Sequence, residues 1–510
     1  MPDRLRLILG VKLRSLRQER GLGLKDVARA AGLSVSYLSE IEQGKKYPKP
    51  DKLVDLSVAL GVPYDDLVSL RVDKGLDAVR DVIESRLLRS FPFELFGVDA
   101  DDVVRLLAAM PDRTGALVRA VGDVTRSYDA QVEDFLLAAL RAYQQMHANR
   151  FPDLEATADA LRARLGLADG ELPTADRLRA ALEADHGYTV DTERLPSDPD
   201  LATFRSVLAG TPSARVLYVN GALHDEQLAF LYARELGFLA LDARHRPATS
   251  SWIEVERFEQ VLDHFRGSYV AGAVLLPAAL VDAELHRLAA MPRWDQDTVL
   301  GWLDGFRATP EMLFHRLTQR LPDALGLDEL YFLRFHHDTA ARGASDSYRL
   351  TKTFNLSQVP VPHGIAADEH YCRRWPEMRA LEALNERQRT ADGQGRTDDR
   401  PVVVAQRQHF VAGVGGSPAE ADFFAVAVAR PLALVPGTNS AVALGLRRTR
   451  ATARRVQVWS DPALPDVDVG LTCERCPIAD CSVRAASASV LTAEATAARR
   501  AAALATLGAR

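Results

Sequence analysis

Four cysteines carry the most pointed chemistry in this 510-residue chain. Three fall in Cys473-Glu-Arg-Cys476-Pro-Ile-Ala-Asp-Cys481, and the fourth lies in His370-Tyr371-Cys372-Arg373-Arg374-Trp375. No cysteine occurs before Cys372. A chain this sparing with thiols, yet clustering three of them, points to ligands rather than core filler. Four thiolates are the number that a tetrahedral zinc ion or a cubane iron–sulfur cluster needs. The Cys-x2-Cys-x4-Cys run is compact enough for one loop to wrap a group from one side, with Cys372 as a single distant partner. Structural zinc sites more often join two local pairs. The spacing therefore favours a [4Fe–4S] cluster held by Cys372, Cys473, Cys476 and Cys481. Zinc, with His370 as a mixed ligand, stays open, as do metal-free buried thiols or a disulfide. Arg373, Arg374, Arg475 and Arg484 flank the thiols. They would lower thiolate pKa values and offset cluster charge, or form an ordinary solvated basic surface.

The elements that must position these residues belong to a long soluble-type chain. Its hydrophobic content is 47% and its charged content 26%, ordinary for globular protein. The length is too great for one core and predicts three or more domains. No apolar run reaches the roughly 18 to 20 residues of a membrane span, and Met1-Pro-Asp-Arg-Leu-Arg lacks the apolar core of a secretory signal. A cytoplasmic protein with no membrane partner is expected, in a compartment that keeps thiols reduced.

The net charge of −6 hides an asymmetry. Residues 1–75 hold fourteen Lys and Arg against ten Asp and Glu, and seven of the eight lysines in the chain. A basic module on an acidic body predicts a polyanion partner for the module alone. Leu9, Leu13 and Leu16 recur at helical spacing before Gly21-Leu22-Gly23. Short helices are predicted over Lys25–Ala31, Val35–Gln43 with Ser34 as N-cap, Asp51–Leu60 and Pro63–Leu70. Five short helices with a tight glycine-bearing turn describe a helix-turn-helix module. Residues Leu24 to Pro48 resemble the Xre-type DNA-binding domain nearly position by position. The resemblance implies that Val35, Ser36, Tyr37 and Ser39 face the major groove of double-stranded operator DNA. It assigns Lys25, Ser34, Lys45 and Lys46 to phosphate contacts, and Leu33, Leu38 and Ile41 to packing.

Residues 76–167 read as a helical linker or dimerisation segment without chemistry, as in Asp102-Val-Val-Arg-Leu-Leu-Ala-Ala. In 168–310, a strand at Val216–Asn220 feeds a helix from His224 to Phe238, and a later helix runs into Leu275-Leu276-Pro277. This resembles the ImmA/IrrE-type metallopeptidase core. The two zinc-binding histidine positions hold Arg234 and Phe238 here, and Phe265 and Arg266 stand near the expected third ligand. Only Glu235 survives. Without ligands the glutamate has no metal-bound water to activate, so a non-enzymatic, degenerate α+β domain is expected. A zinc-dependent protease acting on a repressor is the rival reading.

From 311 to 490 the pattern turns to strands at Tyr331–Phe335, Tyr348–Phe354, Val402–Gln406, Phe423–Arg430, Ser440–Leu446 and Arg455–Trp459. A helix is predicted from Trp375 to about Gln388. An α+β domain built on an antiparallel sheet follows, with an Ala-rich helical tail at 491–510. Cys372-x-x-Trp375, Ala427-Val-Ala-Arg430-Pro, Ala443-Leu-Gly and the C-terminal cysteine run occur in the order seen in the short-chain fatty-acyl transcriptional regulators. Those proteins combine an Xre-type head, an ImmA/IrrE-like middle and a Cys-bearing end, and include regulators of the glyoxylate bypass and methylcitrate cycle. Two departures stand out: Leu446 replaces a frequent further cysteine, and Cys372-Arg-Arg-Trp375 is more basic than the usual Cys-Pro-x-Trp. The resemblance implies a transcription regulator that senses a short-chain acyl-CoA. It would bind as a homodimer or higher homo-oligomer, with Arg430 as a guess for the ligand's anionic group. A purely redox-sensing regulator is the other alternative.

Overall fold

The computed structural model describes residues 2–42, 45–68, 93–96, 132–211, 214–246, 255, 257–339, 348–357, 359, 361–362, 369–411 and 421–508. The chain divides into two compact units near residue 143, with 254–258 grouped with the first. Most of the expected linker at 76–167 lies outside the described residues.

The first unit begins with five helices: α1 (Pro2–Glu19), α2 (Leu24–Ala30), α3 (Val35–Glu42), α4 (Pro50–Leu60) and α5 (Tyr64–Val68). Each matches a predicted helix within the fraying of its ends. Their apolar stripes meet in one core of Leu9, Leu13, Val27, Leu38, Ile41, Leu53, Leu56 and Leu67. Leu38 and Ile41 are wholly buried, which contributes about 1.5–3 kcal/mol each. Gly32 makes the α2–α3 turn at φ +60°, a conformation that side-chain-bearing residues reach only with strain.

The second unit follows helix α6 (Val132–Met146), within which the border falls. It continues with α7 (Pro152–Arg164), α8 (Ala175–His186), β1 (Tyr188–Asp191), the single turn α9 (Arg194–Ser197), β2 (Ser206–Thr211), β3 (Ala214–Val219), α10 (Asp225–Ala240) and α11 (Phe258–Leu275). Strands β1, β3 and β2 form a small mixed sheet, parallel between β1 and β3 and antiparallel between β2 and β3. Only β3 was predicted from the sequence. Helices α10 and α11 approach closely at two glycines: a Cβ on Gly267 would come within 2.4 Å of the Phe238 ring.

Helices α12 (Ala278–Ala290), α13 (Gln296–Gly305) and α14 (Pro310–Leu325) lead into a six-stranded sheet. Its strands are β4 (Leu330–Asp338), β5 (Tyr348–Asn355), β6 (Val402–Phe410), β7 (Ala421–Pro431), β8 (Thr438–Arg447) and β9 (Asp466–Val469). Their order is β5-β4-β8-β7-β6-β9. All neighbours are antiparallel except β9, which runs parallel to β6. Alternate residues face opposite layers. Tyr331, Leu333, Phe335, Phe423, Ala425, Ala427, Ala441 and Ala443 pack with Met378, Leu381 and Leu384 of helix α15 (Pro376–Asp392). On the other face, His315 stacks on Phe332 at 4.3 Å and Trp294 meets Phe424 at 5.7 Å. The Arg316 guanidinium binds both oxygens of Glu155 at 2.6 and 2.9 Å, which ties α14 to α7.

Five of the six strands read from the sequence are present. The sixth, Arg455–Trp459, is not a strand. Thr449 accepts the Thr452 N–H at 3.1 Å and caps helix α16 (Arg450–Arg455), and Gln457–Ser460 is a 3-10 turn. The apparent alternation arises because this tight turn buries Val456, Val458 and Trp459 together. Residues 168–253, 259–310 and 311–490 fall in the second unit. The tail forms helix α17 (Ser489–Gly508). Among the described residues no single helix is long and apolar enough to cross a membrane.

Candidate functional site

Recognition chemistry in the first unit starts at Ser34. Its Oγ accepts the Tyr37 N–H at 3.1 Å, so one unsatisfied amide at the start of α3 finds a partner. Ser34, Val35 and Ser36 are exposed at that end, and Lys25, Lys45 and Lys46 are exposed nearby in sequence. Tyr37 is half-buried and packs against the helical core, so its ring both supports α3 and borders its exposed face. The Lys46 ammonium sits 2.8 Å from Glu40 and 5.6 Å from the Tyr37 ring centre. A phosphate would have to compete with Glu40 for it, which Lys45 and Lys25 do not face. Arg17 grips Glu42 through two bonds of 2.7 and 2.9 Å, fixing the far end of α3 on α1.

In the second unit the four cysteines come into one neighbourhood. Tyr371 pairs with Thr472 in an antiparallel bridge, the Cys372 N–H donates to the Leu471 carbonyl at 3.1 Å, and the Cys473 N–H donates to the His370 carbonyl at 2.8 Å. This short ladder sets Cys372 beside the C-terminal run. Cys372 interacts with Cys473 and Cys476, and Cys476 with Cys481. Cys372, Cys473 and Cys476 are buried, and Cys481 is half-exposed.

Backbone N–H groups of Gly470 and Arg374 face the Cys372 sulfur, that of Ile478 faces Cys476, and that of Ala485 lies 3.4 Å from the Cys473 sulfur. Such donors stabilise thiolates, so the donor set fits a four-thiolate group. Yet among the described residues no three His, Cys, Asp or Glu side chains are arranged to hold a single metal ion. The four thiols share a neighbourhood without closing round one ion. Burial pushes the Cys372 thiol up to about 11.

The flanking arginines divide by role. Arg475 is engaged by Glu369 through bonds of 2.6 to 3.0 Å, and Arg373 stacks over Tyr348 at 4.1 Å. Arg374 reaches the Asp468 carbonyl. Arg484 instead donates to the carbonyls of Cys473 and Cys476, at 2.7 and 3.2 Å, and its charge favours the Cys476 thiolate. Electrostatic support for the thiols therefore comes from Arg484 rather than Arg475. His370 directs Nδ1 at Glu474, 2.8 Å away.

Beneath this loop, Trp375 donates its indole N–H to the Gly470 carbonyl at 2.8 Å. Two residues on, Glu377 is wholly buried at the start of α15 with no hydrogen-bond partner for either carboxyl oxygen. Burial pushes it up to about 8, and the nearby Tyr331 hydroxyl donates to Gln408 at 2.5 Å.

On α10, Glu235 is buried and bound by Arg246 at 2.9 Å, with the Tyr188 hydroxyl 3.5 Å away. Arg234 and Phe238 occupy the positions one helical turn apart, with the Arg234 and Arg246 guanidinium groups each 5.9 Å from the Phe238 ring centre. Arg430 is committed to Glu226 at 3.3 Å. What sequence reasoning missed is the ion cluster in which Arg334 and Lys352 both bind Glu311. Its one sequence signal is that Lys352 is the only lysine outside the first 75 residues.

A helix-turn-helix domain family matches residues 8–70. Over 57 residues the chain is 49% identical to the HTH-type transcriptional regulator DdrOP3 of Deinococcus deserti, covering 11% of this chain and 44% of that one. The chain thus spans less than half the length of that relative. It is 35% identical over 87 residues to the transcriptional regulator ClgR of Mycobacterium tuberculosis, covering 17% of this chain and 72% of the other. A longer and more distant likeness, 26% over 342 residues, links it to the HTH-type transcriptional regulator PrpR of Mycobacterium tuberculosis, over 61% of this chain and 63% of the relative. By its N-terminal domain, the chain belongs to the helix-turn-helix transcriptional regulators.

Proposed function

We propose that this protein regulates transcription by binding double-stranded operator DNA as a homodimer, and that it answers a short-chain acyl-CoA bound by its second unit. The observation that carries the reading is α3: its capped N-terminal end presents Ser34, Val35 and Ser36 outward over a fully packed core. A recognition helix meets base edges with such an end, and surrounding lysines contact phosphates and set register. Dimerisation follows because modules of this kind read paired half-sites one helical turn apart. The acyl-CoA rests on the resemblance of the cysteine-bearing end. For regulation, that ligand must favour one arrangement of the two heads, since equal affinity for both shifts nothing.

Cys372, Cys473, Cys476 and Cys481 would hold a [4Fe–4S] cluster, or zinc in its place. Either group, when bound, would cross-link the loop before Trp375 to the C-terminal run. The convergence of the thiols and the sulfur-directed N–H groups support this. The chain's own part is to bring the strands together through the Tyr371–Thr472 bridge, shield three thiols from water, and hold the run closed with Arg484.

The same convergence favours a second reading, a redox sensor that uses these thiols without a metabolite. A protease reading lacks support: Glu235, its would-be base, is engaged by Arg246. The test is selection of operator sequences by the full chain, then titration with acetyl- and propionyl-CoA by calorimetry, with iron, sulfide and zinc counted after anaerobic purification. Sequence-independent DNA binding sinks the regulator reading. Binding heat absent with both thioesters leaves the redox alternative, and stoichiometric zinc in a colourless protein removes the cluster.

A further inference from the structure

The second unit carries a basic patch that neither the DNA-binding head nor the cysteine run uses. Arg447-Arg448-Thr449-Arg450-Ala451-Thr452-Ala453-Arg454-Arg455 places five arginines in nine residues. Beyond residue 75 the chain holds 49 Lys and Arg against 59 Asp and Glu, yet no acidic residue occurs between Asp422 and Asp461. The run starts on the last residue of β8 and continues through α16. Its backbone is firmly held. Thr449 caps the helix by accepting the Thr452 N–H at 3.1 Å, and the buried Thr452 hydroxyl donates to the Arg447 carbonyl at 2.7 Å. Val456, Val458 and Trp459 are buried just beyond it.

The five arginines divide into those that anchor the run and those it displays. Arg447 binds Glu329 at 2.7 Å and Arg455 donates to the Leu325 carbonyl, so both hold the run to the connection between α14 and β4. Arg448 lies 3.5 Å from Asp422 and 5.7 Å from the Trp459 ring centre, yet its side chain keeps 52% of its surface. Arg450 and Arg454 are exposed, one turn apart on the same face of α16. Among the described residues neither has a carboxylate partner. Nothing in α16 itself calls for them. Like charges at this spacing weaken a helix. A helix start favours an acidic side chain, and Arg450 puts a cation there.

Charge complementarity asks for an anionic partner, and the surroundings of the arginines say which kind. Protein partners are held by apolar and aromatic anchors at the centre of an interface. Among the described residues no large hydrophobic side chain is exposed between Val435 and Val483, and α16 displays only Ala451 and Ala453 beside its arginines. Surfaces that meet nucleic acid are instead polar and strongly positive. The guanidinium fork fits a phosphate through two parallel N–H bonds. The helix-turn-helix head, matched over residues 8–70, brings a duplex to the same chain. That linkage raises the phosphate concentration available to a weak second contact.

We propose that Arg450 and Arg454, with Arg448 beside them, contact the phosphate backbone of the duplex outside the stretch that the head reads. This rests on DNA binding by the head and is independent of the acyl-CoA and metal readings. The arginines hold phosphates and read no bases, so they add affinity and register without sequence preference. Each phosphate they neutralise releases counterions and steepens the salt dependence of binding. In an acidic body the patch also offsets, at one place, the repulsion between the second unit and the duplex.

The experiment uses the full chain and two duplexes of about six helical turns, one of random sequence and one with the selected operator at its centre. Fluorescence anisotropy measures affinity from about 50 to 200 mM salt. Arg450→Gln with Arg454→Gln should lower the salt slope by about 1.8, at about 0.9 per phosphate, on both duplexes and leave operator preference unchanged. Arg450→Lys with Arg454→Lys keeps the charge and should restore the slope. Arg499→Gln with Arg500→Gln removes equal charge from exposed positions on α17 and should leave the slope as it was. Hydroxyl-radical cleavage should show backbone protection outside the operator that the first pair loses while the operator stays protected. An unchanged slope with the first pair overturns the proposal. An equal fall with the α17 pair also overturns it, because net charge alone would then be responsible. Loss of self-association in sedimentation, with the slope unchanged, assigns the patch to a second copy and overturns the DNA contact. A head without sequence preference defeats the operator reading alone, since the random duplex still decides the patch.

Discussion

The two units put similar residue types to opposite uses. In the first, serines and lysines around α3 are displayed to solvent, where a charge is cheap and a long polyanion can reach several at once. In the second, carboxyl, guanidinium and imidazole groups are drawn inside, where each unmade hydrogen bond is costly. Lys25 and Arg234 illustrate the contrast: one cation is exposed on α2, the other is 6% exposed on α10. A duplex is recognised from outside, whereas a small ligand has to be surrounded. The difference teaches that buried, under-satisfied polar groups in the second unit are better signs of a small ligand than its exposed ones.

The largest expected effect tests whether the interior of the second unit truly bears unmet polar groups. Glu377 has a folded pKa of about 8, above its usual carboxyl value of 4.5. Its protonated form is favoured by folding, so that contribution is whole below pH 4.5 and is lost as pH rises through 8. Glu377→Gln should therefore leave stability near pH 4.5 unchanged and raise it at pH 9, by up to about 5 kcal/mol at 1.36 kcal/mol per unit. Denaturant titrations at the two pH values measure this. A variant equally destabilised at both would mean that the carboxyl has polar company.

Next in size is the cysteine run. Cys476→Ser should lose most of the bound metal, counted by elemental analysis of anaerobically purified protein, and lower the thermal midpoint of the second unit by several degrees. Retention of full metal content would separate Cys476 from the ligand set. In the first unit, Ser36→Ala should cost about 1–3 kcal/mol against the selected operator and little against scrambled DNA, read by fluorescence anisotropy. An equal loss on both sequences would move Ser36 from base readout to backbone contact.

Smaller effects sharpen the surface side of the comparison. Lys45→Ala should weaken operator and scrambled DNA alike and reduce the salt slope by about one. Lys46→Ala should weaken binding less, because its ammonium already pairs with Glu40. Ser34→Ala should cost about 1 kcal/mol of head stability by stripping the α3 cap, measured by thermal unfolding.

The sequence by itself determined what is local. Ser34 three residues before the Tyr37 amide, Gly32 at the turn, and leucines at helical spacing specify α1 to α5, because helix starts and stops are settled within one turn. The clustering of Cys473, Cys476 and Cys481 needed no fold to be seen. Strands β4 and β6 to β8 were legible because buried Val, Ala, Leu and Phe recur in them, and β5 because Tyr348, Leu350 and Phe354 alternate with polar residues. Strand β9 was not, because Asp466-Val-Asp-Val is short and gains its place only by pairing with β6. Tertiary structure alone decided that Cys372 reaches Cys473 through the Tyr371–Thr472 bridge, that Arg430 meets Glu226, and that Arg475 serves Glu369 while Arg484 serves the thiols. It alone put the Arg334 guanidinium and the Lys352 ammonium on the same Glu311 carboxylate. Charge and desolvation act through space between distant segments, and no spacing along the chain records them.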